Sequence, residues 1–529
     1  MGDTRMDGPN TPPIRSATET LARFLVELSA ELPEWSRRLH AAPRQLDLLE
    51  REVHKFFARG ADMIIVGLMA VVMKTEQLDR ATFRTRDNFA YPLEAGRKRT
   101  IQVRLLGGLV IWFTSLYCAP RKSWMRRQVA DAAGVYPELL QFGIGKRSSP
   151  GLESRVARKA ALYPSLEFAK QELVRDGLQI DVKTVRRVAQ QCGVGLLQLR
   201  KQELDLWRAG NLPAGTELAG KRVSVQLDGG RTRIRGEMRQ VVAKMETPDA
   251  DGLLHENAPG RSRKRPTMTF DADWREPKLL TIFVHDAQGR MEQKTQATID
   301  GTFQGPDAIA EIAAMHLHRL GAAKASSITF VADGGVWIWD RLPAIARLAN
   351  LETVPQYQVL DCCHAAHHVS LALAALGYND QQRMPLYREH RTLLRNGQWR
   401  QVVAELTELA QEAADDAKVW TEIAYLRKHG EAGRLKYPTF RGLGLPLGSG
   451  AIESNIRRVV NMRLKSNATF WREENAEAMM QVRAQVLTDR WDERLTELRN
   501  LRGSDARAAW HWSPQDMTST PEHAPPQLK

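Results

Sequence analysis

The stretch SSITFVADGG, residues 326–335, decides the fold. Its apolar core is too short for a helix and stops at Asp333-Gly334-Gly335. That pattern predicts a strand buried on both faces, as in the middle of a parallel sheet. KRVSVQLDGG (221–230) is its counterpart, with Val223, Val225 and Leu227 alternating toward Asp228 and the same Asp-Gly-Gly ending. LLTIFVHD (279–286) and KTQATID (294–300) read as two more strands. GPDAIAEIAAMHLHRLGA (305–322) reads as an amphipathic helix with Pro306 in its first turn. A further helix is expected over Val336 to Leu348, and YQVLDCCHAAHH (357–368) as a strand running into Asp361. Three successive strands, then strands alternating with helices, predict a mixed α/β sheet with acids at strand carboxyl ends.

Beyond this core, Leu371 to about Phe440 is helical and charged, with no strand-like stretch. LPLGSGAIESNIRRVVNMRLK (445–465) predicts a long helix capped by Ser449, with Glu453 in its first turn and Arg457 one turn on. Toward the other end, residues 17 to 80 follow a helical pattern. Their apolar run Gly60 to Met73 is interrupted by Asp62 and is shorter than the roughly 20 residues a bilayer needs, so a buried helix is expected. Arg99 to Tyr117 reads as a hairpin about Gly107-Gly108. Residues 165–193 predict two helices joined at Asp176-Gly177, the second capped by Asp181. Lys183, Arg186 and Arg187 lie on its polar face. This pair is either a helix-turn-helix or a helical hairpin with a solvated basic face. Residues 1–16 and 504–529 read as disordered tails.

The chain has 529 residues, which at about 150 per domain predicts three or four domains. Lys+Arg 76 against Asp+Glu 62 gives +14. That excess suits nucleic acid or an anionic membrane surface, or belongs to an ordinary basic protein. Four cysteines with no Cys-x-x-Cys pair argue against a disulfide framework and a zinc ribbon. The first residues lack the apolar stretch of a secretory signal, so a soluble, cytosolic chain is expected.

Three carboxylates stand out: Asp228, Asp333 and Glu453. Alone, each is ordinary, because Asp before Gly makes turns and Glu favours a helix N-terminus. Together, two strand-end Asp and a helical Glu suit a pair of Mg²⁺ ions, which take oxygen ligands and serve in-line phosphoryl displacement. His364, His367 and His368 lack a further ligand for a zinc site and are expected packed near the acids, with Cys362 and Cys363 as buried thiols. Trp337 and Trp339 are expected to pack helix against sheet. Trp471 is a candidate for stacking on an unpaired base or for core packing. GRSRKR (260–265) is expected in a long loop, contacting phosphates or merely solvated.

VQLDGG, FVADGGVWIW, LDCCHAAHHV and LPLGSGAIESNIRRVVNMRLK together resemble the DDE transposases of bacterial insertion sequences, closest in character to ISKra-type elements. The resemblance spans roughly residues 160 to 490, and its most specific pieces are the spacing of the acids and the Gly-Ser-Gly-x-x-Glu-Ser string. It implies an RNase H-like catalytic domain at 216–500 with a helical insertion at about 371–440. A mostly helical DNA-binding region at 17–215 would precede it. It further implies Asp228, Asp333 and Glu453 as ligands of two Mg²⁺ or Mn²⁺ ions, with Asp361 and His364 beside them. Lys183, Arg186, Arg187, Arg457, Arg463, Lys465 and Trp471 become candidate DNA contacts. The expected partners are double-stranded DNA, as terminal repeats and target, and further copies of the chain in a dimer or larger assembly at the bacterial nucleoid. Two other classes fit the same residues: a DNA-binding protein descended from a transposase, and a structure-selective nuclease.

Overall fold

The computed structural model describes residues 17–87, 89, 92–121, 134–145, 147–240, 268–412, 417–465 and 470–504. The expected tails, apart from Ser504, and the GRSRKR run lie outside the described residues. The chain forms two units rather than three or four: Met1–Leu212 with Ala478–Lys529, and Pro213–Glu477.

In the first unit the helices Ala17–Ala41 and Leu46–Val72 pair through aromatic rings, with Phe24 stacked on Phe56 (5.3 Å) and Trp35 edge-on to it (5.3 Å). The apolar run is buried on one face only. Met63, Val66 and Met69 point inward, while Ile65, Leu68 and Val71 are exposed. A hairpin of β1 (Leu93–Arg104) and β2 (Val110–Pro120) covers the inner face. Asp62, which interrupts the run in sequence, has a definite use. Its two oxygens accept the Gly107 and Leu109 N–H groups (both 3.0 Å) and tie the hairpin turn to the helix. Gly108 takes φ 93°, a left-handed conformation that explains glycine there.

The helices Pro150–Leu162, Leu166–Arg175 and Val182–Arg208 follow. Ser149, Ser165 and Asp181 cap them by side chain, so the predicted Asp181 cap is present. The second helix of the expected pair runs for 27 residues and is buried through Cys192–Leu204. Its length suits a structural core helix better than a short groove-reading one. Trp491–Ser504 joins the same unit. Trp491 Nε1 donates to Ser154 Oγ (2.7 Å), and Arg494 donates to both oxygens of Glu203 (2.6 and 2.8 Å). The expected catalytic span to residue 500 is therefore too long at its C-terminal end, because this helix buries its apolar face against the N-terminal helices.

Among its described residues the second unit holds seven strands: β3 (Arg222–Gly229), β4 (Thr232–Gln240), β5 (Met268–Arg275), β6 (Lys278–Val284), β7 (Thr298–Thr302), β8 (Ser327–Ala332) and β9 (Gln356–Leu360). Five form a mixed sheet in the order β7-β6-β3-β8-β9, parallel among β3, β8 and β9 and antiparallel among β3, β6 and β7. Every residue of β6, β7 and β8 is buried. The remaining two, β4 and β5, form a separate two-stranded ribbon, which the Arg235 N–H ties to the Trp471 carbonyl (2.7 Å). They are unforeseen, since TRIRGEMRQ and MTFDADWR carry too much charge to read as core strands.

The helix Pro306–Leu320 crosses from β7 to β8 and ends on Gly321 at φ 79°. The single helix expected over 336–348 is two, Val336–Trp339 and Leu342–Leu348, the second opened by Pro343. β9 runs to Leu360 and so into Asp361 as expected, and the rest of that stretch opens the helix Cys362–Ala375. The helices Asp380–Arg395, Trp399–Glu412, Ala417–Glu431 and Tyr437–Gly442 fill the expected insertion. Among the described residues no single helix is long and apolar enough to cross a membrane.

Candidate active site

Parallel pairing lines up the acids. Gln226 stands opposite Val331 across β3 and β8, so Asp228 and Asp333 each lie two residues beyond that row. Ala332 stands opposite Leu360 across β8 and β9, so Asp361 lies beside Asp333. The Asp361 N–H donates to the Ala332 carbonyl (2.9 Å), holding the row together. Three acids thus occupy the carboxyl ends of three neighbouring parallel strands, the edge where open α/β sheets bind ligands.

Each is fixed locally. Asp228 Oδ1 accepts the Gly229 N–H (2.6 Å) and Asp333 Oδ1 accepts that of Gly335 (3.0 Å). The buried Trp339 donates its indole N–H to the Asp333 carbonyl (3.0 Å), as its packing role predicts, whereas Trp337 is half-buried under Lys278. Asp361 is buried and caps the next helix, accepting from the Cys363 and His364 N–H groups (2.6 and 2.9 Å).

Glu453 reaches the row through a second layer. The helix Gly450–Asn455 continues as a π-helical turn over Ile456–Asn461 and a last turn over Met462–Leu464, so the expected long helix is not uniform. Buried Gln226 of β3 pins its start, donating to the Gly448 carbonyl (3.2 Å) and accepting the Ile452 N–H (3.0 Å). Asn455 Nδ2 donates to Thr281 Oγ1 of β6 (2.9 Å). Ser449 stands at the N-cap but makes no side-chain cap. Its N–H donates to Asp361 Oδ2, and its hydroxyl lies 2.8 Å from Asp361 Oδ2 and 3.0 Å from Glu453 Oε1. One hydroxyl proton serves one carboxylate at a time, so Ser449 links the two acids without neutralising either. His364 Nε2 lies 3.3 Å from the same Glu453 oxygen. Gln226, Ser449 and Asn455 are the site residues that sequence reasoning missed or misassigned.

Electrostatics binds the cluster. Burial, then the Asp333 anion, pushes Asp228 up to about 7, with His364 pulling down and Glu453 adding to the rise. A carboxylate strained in this way favours a cation beside it. The donor set of Asp228, Asp333 and Glu453, all oxygen, fits hard divalent ions. Their oxygens do not all lie within 4.8 Å of one another. Among the described residues that condition is met by Asp361, Cys362 and Cys363. That trio suits no metal, because Asp361 is saturated with donors and burial, then Cys363, pushes the Cys362 thiol up to about 11. Nor are the cysteines both buried as expected, since Cys363 is exposed.

The insertion closes one side. Tyr425 packs against Gly334, where an added Cβ would strike its ring. His368 stacks on Tyr425 (3.5 Å, 19°) and bonds Glu422. Burial, then the Asp333 and Asp361 anions, pushes the Tyr425 phenol up. His364 packs beside Glu453 as expected, but His364 and His368 are only half-buried and His367 is exposed, so the three are not buried together.

The candidate DNA contacts divide. Arg457 and Lys465 are exposed. Arg463 is not available as expected: it is 5% exposed, burial pulls it down to about 10, and it stacks on half-buried Trp471 (5.0 Å). Lys183 and Arg186 are exposed on the N-terminal unit, while half-buried Arg187 is pulled down by burial and by Arg147. No family model, curated protein or solved structure matches the chain.

Proposed function

We propose that the chain is a DNA transposase of the DDE class, with an RNase H-like catalytic domain in its second unit. The observation that carries this reading is the row of Asp228 and Asp333 at matched strand ends, with Glu453 held to it through Ser449 and His364. The mixed sheet, three antiparallel strands followed by two parallel ones, supports the fold assignment.

Asp228, Asp333 and Glu453 would hold two Mg²⁺ or Mn²⁺ ions, which when bound supply charge stabilisation at the attacking and leaving oxygens of phosphoryl transfer. The protein's own part is positional. Gln226 and Asn455 fix the Glu453 helix to the sheet, and His364 and Ser449 orient its carboxylate. Exposed Arg457 and Lys465 hold the strand backbone by charge. The first unit, with Lys183 and Arg186, binds the terminal repeats of the element. Water attack frees a 3′-hydroxyl, which then attacks target DNA, with no covalent protein–DNA intermediate. A dimer or larger assembly brings two ends together.

The test is incubation of the full chain with labelled end DNA, Mg²⁺ and a target duplex. Cleaved ends covalently joined to target support the proposal. Cleavage without joining would make the chain a nuclease, and binding without either would leave a DNA-binding protein.

A further inference from the structure

The ribbon of β4 and β5 grows directly out of the candidate active site. β3 and β6 are joined as far as Gly229 opposite Lys278, and the ribbon resumes with Thr232 opposite Arg275. Arg231 lies three residues beyond Asp228, or about 10 Å of extended chain. Alternation turns Thr232 and Ile234 inward, both buried, and puts Arg231, Arg233 and Arg235 on the outer face. Trp274 stands opposite Arg233 on that face and is 42% exposed.

Cations crowd this ring. The guanidinium carbons of Arg231 and Arg233 lie 5.0 and 4.9 Å from its centroid, and Lys465 Nζ lies 5.9 Å away. Among the described residues none of the three has a carboxylate partner within salt-bridge distance. Asp271 and Asp273 alternate to the opposite face, and Glu276 at the root is taken by Lys278 (2.5 Å). Three like charges held round one exposed aromatic repel each other unless a polyanion lies among them. A row of cations alone would suit duplex phosphates. An aromatic that stays 42% exposed among them suits something more specific, because duplex bases cover their faces by stacking on each other, whereas unpaired bases offer theirs.

We propose that Trp274, with Arg231, Arg233 and Lys465, is a stacking platform for single-stranded DNA, holding an unpaired base two or three nucleotides from the cleavage point at about 3.4 Å per nucleotide. The platform deepens the transposase reading and rests on it for the identity of the strand. It does not rest on Trp471, which is half-buried against the buried Arg463.

The test measures anisotropy of a labelled oligothymidylate of about 12 nucleotides, and of a blunt duplex of equal length, on the full chain without metal. Trp274→Ala should weaken single-strand binding roughly ten-fold and duplex binding less than about two-fold, and Trp274→Phe should restore most of the loss. The paired change Arg231→Gln and Arg233→Gln should flatten the salt dependence of single-strand binding. Unaltered single-strand affinity in Trp274→Ala, equal losses on both DNAs, or no single-strand binding by wild type would overturn the platform. Separate cleavage assays keep the two claims apart. A platform that behaves as described in a chain that cuts no end DNA would refute the transposase reading alone.

Discussion

His429 shows how one residue of the insertion reports on the fold around the site. It is buried, its Nδ1 lies 3.1 Å from Arg434 Nη1, and its ring packs on Tyr425 (4.6 Å). Burial, then Arg434, pulls it from 6.5 down to about 3. The sign follows from linkage. Above 6.5 the imidazole is neutral in both folded and unfolded chains and costs nothing. Below 6.5 the unfolded chain takes a proton that the folded chain refuses until about 3, so stability falls through that window as pH drops. His429→Gln keeps an acceptor for Arg434 and removes the titration. Urea titrations of the two proteins from pH 7 to 4 should show a shallower acid-side loss in the variant, by up to about 1.4 kcal/mol per pH unit. Parallel curves would contradict this account of His429. Residues of this kind were hidden in sequence, because a histidine in a charged helical stretch looks solvated. Asp228 and Asp333 were legible because each ends an apolar strand. Ser449 was misassigned because Gly-Ser-Gly before a helix reads as a cap, and only the folded chain brings Asp361 to its hydroxyl.

At the scale of elements, the helix Trp491–Ser504 belongs with the N-terminal helices. Its key contact is Arg494, 3% exposed, forked onto Glu203. Arg494→Met leaves the Glu203 carboxylate buried without that guanidinium and should cost about 3–5 kcal/mol. Adding Glu203→Leu should recover most of it, since a buried pair replaced by apolar groups is often neutral. Denaturant midpoints of the four proteins form the cycle, and a single variant as stable as wild type would refute the importance of this pair. The consequence for domain mapping is direct. A cut after residue 215 would strip Leu498 of its neighbour Gly195 and Arg494 of Glu203, so 213–477 is the better boundary. Sequence reasoning left this segment inside the catalytic span with no element of its own, because nothing in its pattern says which unit its apolar face meets. The ribbon was lost for a related reason. Its strands pair with each other rather than with the sheet, so no continuous apolar run marks them.

At the scale of the whole molecule, what matters is that residues far apart in sequence form one charged cluster, with Asp228 raised first by burial and then by Asp333 and Glu453. The central claim is that this cluster cuts DNA with bound divalent ions. Asp333→Asn keeps the shape and the acceptor for the Gly335 N–H while removing one charge from the cage. The control is Asp340→Asn, an exposed residue just past the helix Val336–Trp339. The decisive measurement is single-turnover cleavage of labelled end DNA in Mg²⁺, with end binding measured alongside. Cleavage by Asp333→Asn should fall by on the order of 10³, with binding retained and Asp340→Asn close to wild type. Cleavage by Asp333→Asn at the wild-type rate would contradict the account.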